Sequence, residues 1–194
     1  MTNIRAAVPA ALCILAVAPT ATGAQSALDT LLAPHRAAMA SLVVLDGLWR
    51  GDGWTLLPSG AKATFRQTIR VGSSGEGALK IIEGRGFNTE GQLSATNFEV
   101  VSFNAETNVY TLRLYAQGKA GDVPIVPTPT GFVLEYPDGT ATVRFTIAVT
   151  DGIWNEIAER RVAGQEPVRF LELSLRRVGA TDWPAAGAMS YIER

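Results

Sequence analysis

"TVRFTIAVTDGIWNEIAERR", residues 142–161, sets two runs of alternating residues on either side of an Asp-Gly pair. Alternation at period two marks a strand with one buried face. Asp-Gly between two such runs is a strong signal for a two-residue hairpin loop. With Asp151 and Gly152 as the loop, Thr150 opposes Ile153, Val149 opposes Trp154, Ile147 opposes Glu156 and Arg144 opposes Glu159. The face with Val143, Phe145, Ile147 and Val149 is the core face, so it also carries Trp154, Glu156, Ala158 and Arg160. Arg144 and Glu159 meet on the other face as an ordinary solvated ion pair.

The flanking runs agree. Taking Asp138–Gly139 as a second such loop sets Leu134 opposite Val143 and Phe132 opposite Phe145. A four-residue loop at 163–166 puts Leu171, Leu173 and Leu175 on the same inner face, together with Arg169 and Arg177. Register is strongly specified when one face is buried, and three adjacent hairpins give one consistent inside. Ten β-rich runs follow one another, at about 48–56, 62–71, 78–86, 95–103, 109–117, 122–127, 131–136, 141–149, 153–162 and 168–177. The links, such as "PSGA" and "PDGT", are hairpin-sized, so neighbours pair antiparallel. An even number of strands lets the first and last pair and removes both edges. The expected fold is all-β: an up-and-down antiparallel β-barrel of about ten strands with a short N-terminal helix. Pro124 and Pro127 make the sixth run an edge or irregular strand. For the runs at 95–103 and 109–117 the inner face stays open. Phe98 with Tyr115 and Val100 with Arg113 form one side; Phe103 with Tyr110 and Val101 with Leu112 form the other.

The N-terminal segment 1–24 has one early cation, Arg5, an apolar run from Ala6 to Ala18, and Thr22 and Ala24 before a cut at Ala24–Gln25. That is the pattern of a secretory signal peptide, and it implies a periplasmic or secreted protein. Cys13, the single cysteine, lies within it and lacks the small preceding residue of a lipid-attachment site. The processed chain then has no thiolate or disulfide, and loss of Arg5 takes the net charge from −1 to −2. No basic patch suits nucleic acid, and no later segment is apolar for long enough to span a bilayer as a helix. Residues 25–44 read as a helical lead-in of one or two short turns, with Ser26 capping the first and Pro34 starting the second. The barrel domain covers 45–180 and a C-terminal tail 181–194.

Glu156, Arg160 and Arg169 thus point inward, where an unpaired charge is costly. Two readings stand. The arginines, near strand ends, reach solvent at one mouth; or they line a polar cavity and receive an anionic or carbonyl-bearing ligand.

"LDGLWRGDGW", residues 45–54, resembles the first strand of lipocalin-like barrels, with their Gly-x-Trp as Gly47-Leu48-Trp49. Its continuation through Gly51 and Gly53 is similar to the W-x-G-x-G of nitrobindin-like barrels. It also resembles a family of secreted bacterial proteins of unknown function, in which strands like "IIEGRG" (81–86), "YAQG" (115–118) and a late Trp-x-Glu (Trp154, Glu156) recur. The resemblance covers most of residues 42–184. It implies that Trp49 packs at the closed end of the barrel against Arg177, beneath the helical lead-in. Trp49, Gly51 and Gly53 share one face by period two; the two glycines are expected to let the strand bend and to leave room inside. Nitrobindins hold haem through a histidine on a late strand. The one histidine here, His35, precedes the barrel, so no haem and no other cofactor is expected.

No catalytic motif stands out. "GEGALKIIEGRG" (75–86) lacks the Lys-Ser/Thr ending of a phosphate loop and reads as turn and strand. Glu83, Glu99, Glu135 and Glu156 are singly placed, so no catalytic or metal residues are assigned. The leading expectation is a lipocalin-like protein binding a small, partly apolar ligand, with anionic character on the arginine reading. Its pocket is assigned to Trp154, Glu156, Arg160 and Arg169, with Tyr115 and Arg113. A barrel enzyme of isomerase or cyclase type, using an interior Glu and Arg, is the second reading, and a filled structural or interaction barrel the third. Interior volume separates them. Ligand identity, oligomeric state and pathway are left open.

Overall fold

The computed structural model describes residues 22–181 and residue 183. The proposed signal segment up to residue 21, with Cys13, lies outside the described residues, as does nearly all of the tail. The chain divides into two compact units at Leu31/Leu32. Of the first, the described part is residues 22–31, the opening of the helix α1 (Thr22–Ala40). The second unit holds the rest of α1, a 3-10 turn (Val43–Leu45) and ten strands. These are β1 (Gly47–Leu56), β2 (Lys62–Ser74), β3 (Leu79–Phe87), β4 (Leu93–Asn104), β5 (Val109–Ala116), β6 (Lys119–Thr128), β7 (Gly131–Asp138), β8 (Ala141–Thr150), β9 (Ile153–Val162) and β10 (Val168–Gly179). Each pairs antiparallel with its sequence neighbours, and β1 pairs with β10 to close the barrel.

α1 is a single helix across Pro34, not two turns, and Ser26 lies inside it. Packing holds it beyond the proline: Ala38 and Met39 are buried in the core with Leu42, Leu45 and Trp49. Tertiary burial of an apolar face commonly outweighs a local helix breaker.

The Asp151–Gly152 loop has both residues at positive φ, 52° and 73°, and the register is Thr150 to Ile153 through Arg144 to Glu159, as read from the sequence. Two other registers differ. Between β7 and β8 the loop is Gly139–Thr140, because Asp138 stays in the ladder opposite Ala141. Gly139, at φ 63°, takes the first central position, which a type II′ turn reserves for glycine. Leu134 therefore opposes Phe145 rather than Val143, and Phe132 opposes Ile147. The shift is two residues, so every side chain keeps its face. Between β9 and β10 an irregularity falls between Arg169 and Leu171. The extra residue breaks the alternation. Arg169 stands opposite Glu159 on the outer face, whereas Leu171, Leu173 and Leu175 stay inside.

β6 is not an edge. It pairs with β5 over residues 119–125 and with β7 over residues 125–128. Pro124 thus lies where β5 alone is paired and Pro127 where β7 alone is paired. A residue without an N–H is tolerated where one flank needs no ladder bond.

The β1 glycines permit close approach. A Cβ on Gly51 would sit 2.1 Å from the Ser174 carbonyl oxygen of β10; one on Gly53 would sit 2.8 Å from both the Glu172 carbonyl and the Phe65 ring. Backbone and Phe65 fill that space, so these glycines tighten the β1–β10 seam rather than leaving room inside. The closed end is built around Trp49. Its ring is buried, and its Nε1–H donates to the Leu45 carbonyl at 2.9 Å. The Arg177 guanidinium lies 4.4 Å from the Trp49 ring centroid and donates to the carbonyls of Val44, at 2.9 Å, and Asp46. Gly47, at φ 142°, makes way for Arg177: a Cβ there would meet its Nη1 at 3.2 Å. Lys80, on the inner face of β3, is 1% exposed and is held by Asp46 at 2.7 Å and Ser73 at 3.1 Å.

Candidate ligand cavity

Beyond Trp49 the barrel is hollow. Trp154 packs edge-on against Trp49, ring centroids 5.6 Å apart, and its other side meets a cavity of about 600 Å³. The interior is therefore not packed solid. Its walls are mostly carbon, from Phe65, Ile82, Leu112, Leu134, Phe145 and Leu171 among others. The polar side chains are Gln67, Asn97, Glu99, Tyr136 and Glu156, together with Thr55, Thr64, Asn88 and Ser94. Among the described residues the lining contains no Lys, Arg or His.

The β4–β5 register settles the face that the sequence left open. Val101 with Leu112 and Phe103 with Tyr110 belong to the core; Val100 with Arg113 and Phe98 with Tyr115 lie on the outer face. The same parity carries Glu99 and Asn97 inward, opposite Leu114 and Ala116. Sequence reasoning missed Glu99, and with it Gln67, Asn97 and Tyr136. A signal was present in Gln117–Gly118, whose positive φ values of 51° and 75° make a tight loop. That loop sets Arg113 opposite Asp122. An Arg–Asp pair belongs in water, which fixes the inner face of both strands.

β4 and β9 are five strands apart in either direction around the barrel, so Glu99 and Glu156 rise from opposite walls. Asn97 Nδ2 donates to Glu99 Oε1 at 2.6 Å, and Trp154 Nε1 donates to Glu156 Oε2 at 3.4 Å. Burial, reinforced by the charge of Glu156 and opposed by the Asn97 hydrogen bond, pushes Glu99 up from 4.5 to about 7. Burial also pushes Glu156 up to about 7 against the hydrogen bond from Trp154. Both carboxyls border the cavity space while standing away from bulk water. Two glycines of the "IIEGRG" strand seat the polar groups. A Cβ on Gly84 would lie 2.0 Å from Asn97 Oδ1 and 2.9 Å from Gln67 Nε2; one on Gly86 would lie 3.1 Å from Gln67 Oε1.

Of the residues assigned to a pocket from the sequence, Trp154 and Glu156 line this cavity. Arg160 is on the inner face by parity but stands at the mouth, 53% exposed, with Nη2 3.3 Å from Asp138. Arg169 projects from the outer face and pairs with Glu172 at 3.0 Å. Arg113 and Tyr115 are also outside, Arg113 donating to Tyr115 Oη at 2.9 Å and pairing with Asp122 at 3.0 Å. Arg113 borders an open outer groove of about 680 Å³ that includes His35, Ser102 and Asp122. That groove is open to solvent and its arginine is already paired, so the enclosed interior is the better site. His35 lies outside the interior cavity, its Nδ1 2.9 Å from the Phe103 carbonyl. No group of three or more His, Cys, Asp or Glu is placed to hold a metal ion among the described residues.

The barrel is similar to the crystal structure of Rv2717c from M. tuberculosis, with a TM-score of 0.53 at 14% sequence identity, over 74% of this chain and 97% of that chain. No protein-family model and no curated protein matches the sequence. The likeness at this identity is one of fold.

Proposed function

We propose that the protein is a lipocalin-like binder that takes a small, largely apolar molecule into the barrel, and that it works in the periplasm or outside the cell. The N-terminal segment supports the location; the observation that carries the binding reading is the cavity of about 600 Å³ with carbon walls and a few convergent polar groups. The arginines that suggested an anionic ligand lie at the mouth or on the outer face, so they give no reason to expect an anion inside. A neutral fluorophore that brightens in apolar surroundings, N-phenyl-1-naphthylamine, tests this. It is expected to bind one per barrel, and Leu114→Trp, which projects a ring into the cavity, is expected to weaken it at least tenfold. Equal binding by both proteins places the dye on the surface and defeats the reading.

One observation favours a second reading. Carboxyls that titrate near neutrality in a shielded cavity are suited to general acid–base work. An isomerase of this type needs one Glu to take a proton and the other to return it. Hydrogen–deuterium exchange at an acidic carbon of a bound ketone, lost in Glu156→Gln, is the result this reading requires.

A further inference from the structure

We propose that the ligand carries a basic nitrogen, so that an apolar amine sits in the cavity with its ammonium head between Glu99 and Glu156. The inference deepens the binding reading and rests on it.

The geometry is that of a receptor for a cationic donor. The two carboxyls line one cavity from opposite walls, on β4 and β9, near enough for the charge of Glu156 to act on Glu99. Each is satisfied on one oxygen only. Asn97 holds Glu99 Oε1 and Trp154 reaches Glu156 Oε2, while Glu99 Oε2 and Glu156 Oε1 have no hydrogen-bond partner among the described residues. Neither oxygen is sealed in the wall: both residues line the cavity, so these oxygens are open to a donor that enters it. The wall provides no compensating charge, since no Lys, Arg or His lines the cavity among the described residues. Lys80, the nearby buried cation, is already held by Asp46 and Ser73 at the closed end. An ammonium group has donors and no acceptor, so it matches both vacant oxygens and supplies the missing charge. A carboxylate head meets the opposite situation above neutrality, where both glutamates are charged and repel it. The apolar walls take the rest of the molecule. Both glutamates titrate near neutrality, so an ammonium ion that binds between them also draws them into the charged form.

Three ligands with one tail and different heads test the idea: decylamine, 1-decanol and decanoate, each used at pH 8 to displace N-phenyl-1-naphthylamine from the full chain. Decylamine is expected to displace at a concentration at least tenfold below that of decanoate, with decanol between them. In the Glu99→Gln/Glu156→Gln double variant the amine's advantage over decanol disappears, while decanol binds within about twofold of wild type. In Leu114→Trp all three weaken together. Equal displacement by the three heads, or a preference for decanoate, overturns the amine proposal and leaves the apolar-binding reading standing; wild-type protein alone decides this. Decylamine that binds Leu114→Trp undiminished is a surface ligand, and also overturns it. Failure of the dye and of all three tails to bind, with calorimetry as the second measurement, removes both readings together.

Discussion

Arg177 holds its guanidinium 4.4 Å from the Trp49 ring centroid while donating to the carbonyls of Val44 and Asp46. One side chain thereby joins the last strand, the first strand and the 3-10 turn before it. Arg177→Ala removes two hydrogen bonds and a cation–π contact, an expected loss of about 2–3 kcal/mol. Arg177→Lys keeps the charge but not the planar fork, and is expected to recover less than half. Urea unfolding measures both; a lysine variant as stable as wild type shows that charge alone suffices.

The two cavity carboxyls make stability depend on pH. Their folded values of about 7 lie above the ordinary 4.5, so the folded chain binds their protons more tightly than the unfolded chain does. The stability they contribute is fully present below the unfolded value and is lost as pH rises through about 7. The unfolding free energy is expected to fall from pH 5 to pH 8, by on the order of a few kcal/mol for the coupled pair, and the melting temperature falls with it. The Glu99→Gln/Glu156→Gln variant is expected to flatten the profile and to be more stable than wild type at pH 8. A wild-type midpoint that climbs over this range contradicts the account.

Lys80 and Asp46 test the closed end differently. Asp46→Ala leaves a fully buried ammonium with Ser73 alone, an expected cost of about 3–5 kcal/mol. Lys80→Met removes the buried charge and frees the half-buried Asp46 to solvate, so it is expected to cost less. The order of the two midpoints in chemical denaturation is the check.

Glycines that look alike in the sequence are expected to behave differently. Gly51→Ala drives a Cβ into the backbone of β10, which cannot yield without opening the seam; loss of folding is expected. Gly84→Ala meets the ends of Asn97 and Gln67, which can rotate away. That variant is expected to fold, to lose the hydrogen bond on Glu99, and to titrate Glu99 higher still, as read by carbon NMR of the carboxyl. At Gly121 a Cβ meets nothing within 4 Å, and Ala there is expected to be neutral or mildly stabilising.

Strand order and most faces were legible because tight glycine loops pin register and a one-residue slip would turn each face inside out. Glu156 followed from that parity alone. The two-residue error at β7–β8 did no harm, since even shifts conserve the face. Arg169 was misplaced because a single extra residue at Phe170 interrupts the alternation, and nothing in "VRFLEL" announces it. Glu99 was hidden for another reason. Both faces of β4 and β5 carry large apolar residues, and outside the barrel Phe98 and Tyr115 pack on each other with centroids 6.5 Å apart. Hydrophobic contrast therefore vanishes where the cavity acid lies. The cavity itself depends on how ten strands curl, which no local pattern encodes.

The short ladder between β6 and β7 has a consequence for how the wall opens. Only residues 125–128 of β6 pair with β7, so this seam is stitched for less of its length than any other in the wall. Local opening costs least where the fewest bonds must break. These two strands are therefore expected to part while the tryptophan plug and the glycine-tight β1–β10 closure stay shut. Opening of this seam and unfolding of the whole barrel then have separate barriers, and the amide protons bonded across it, within residues 125–128 and 131–134, are the ones expected to report the faster of the two.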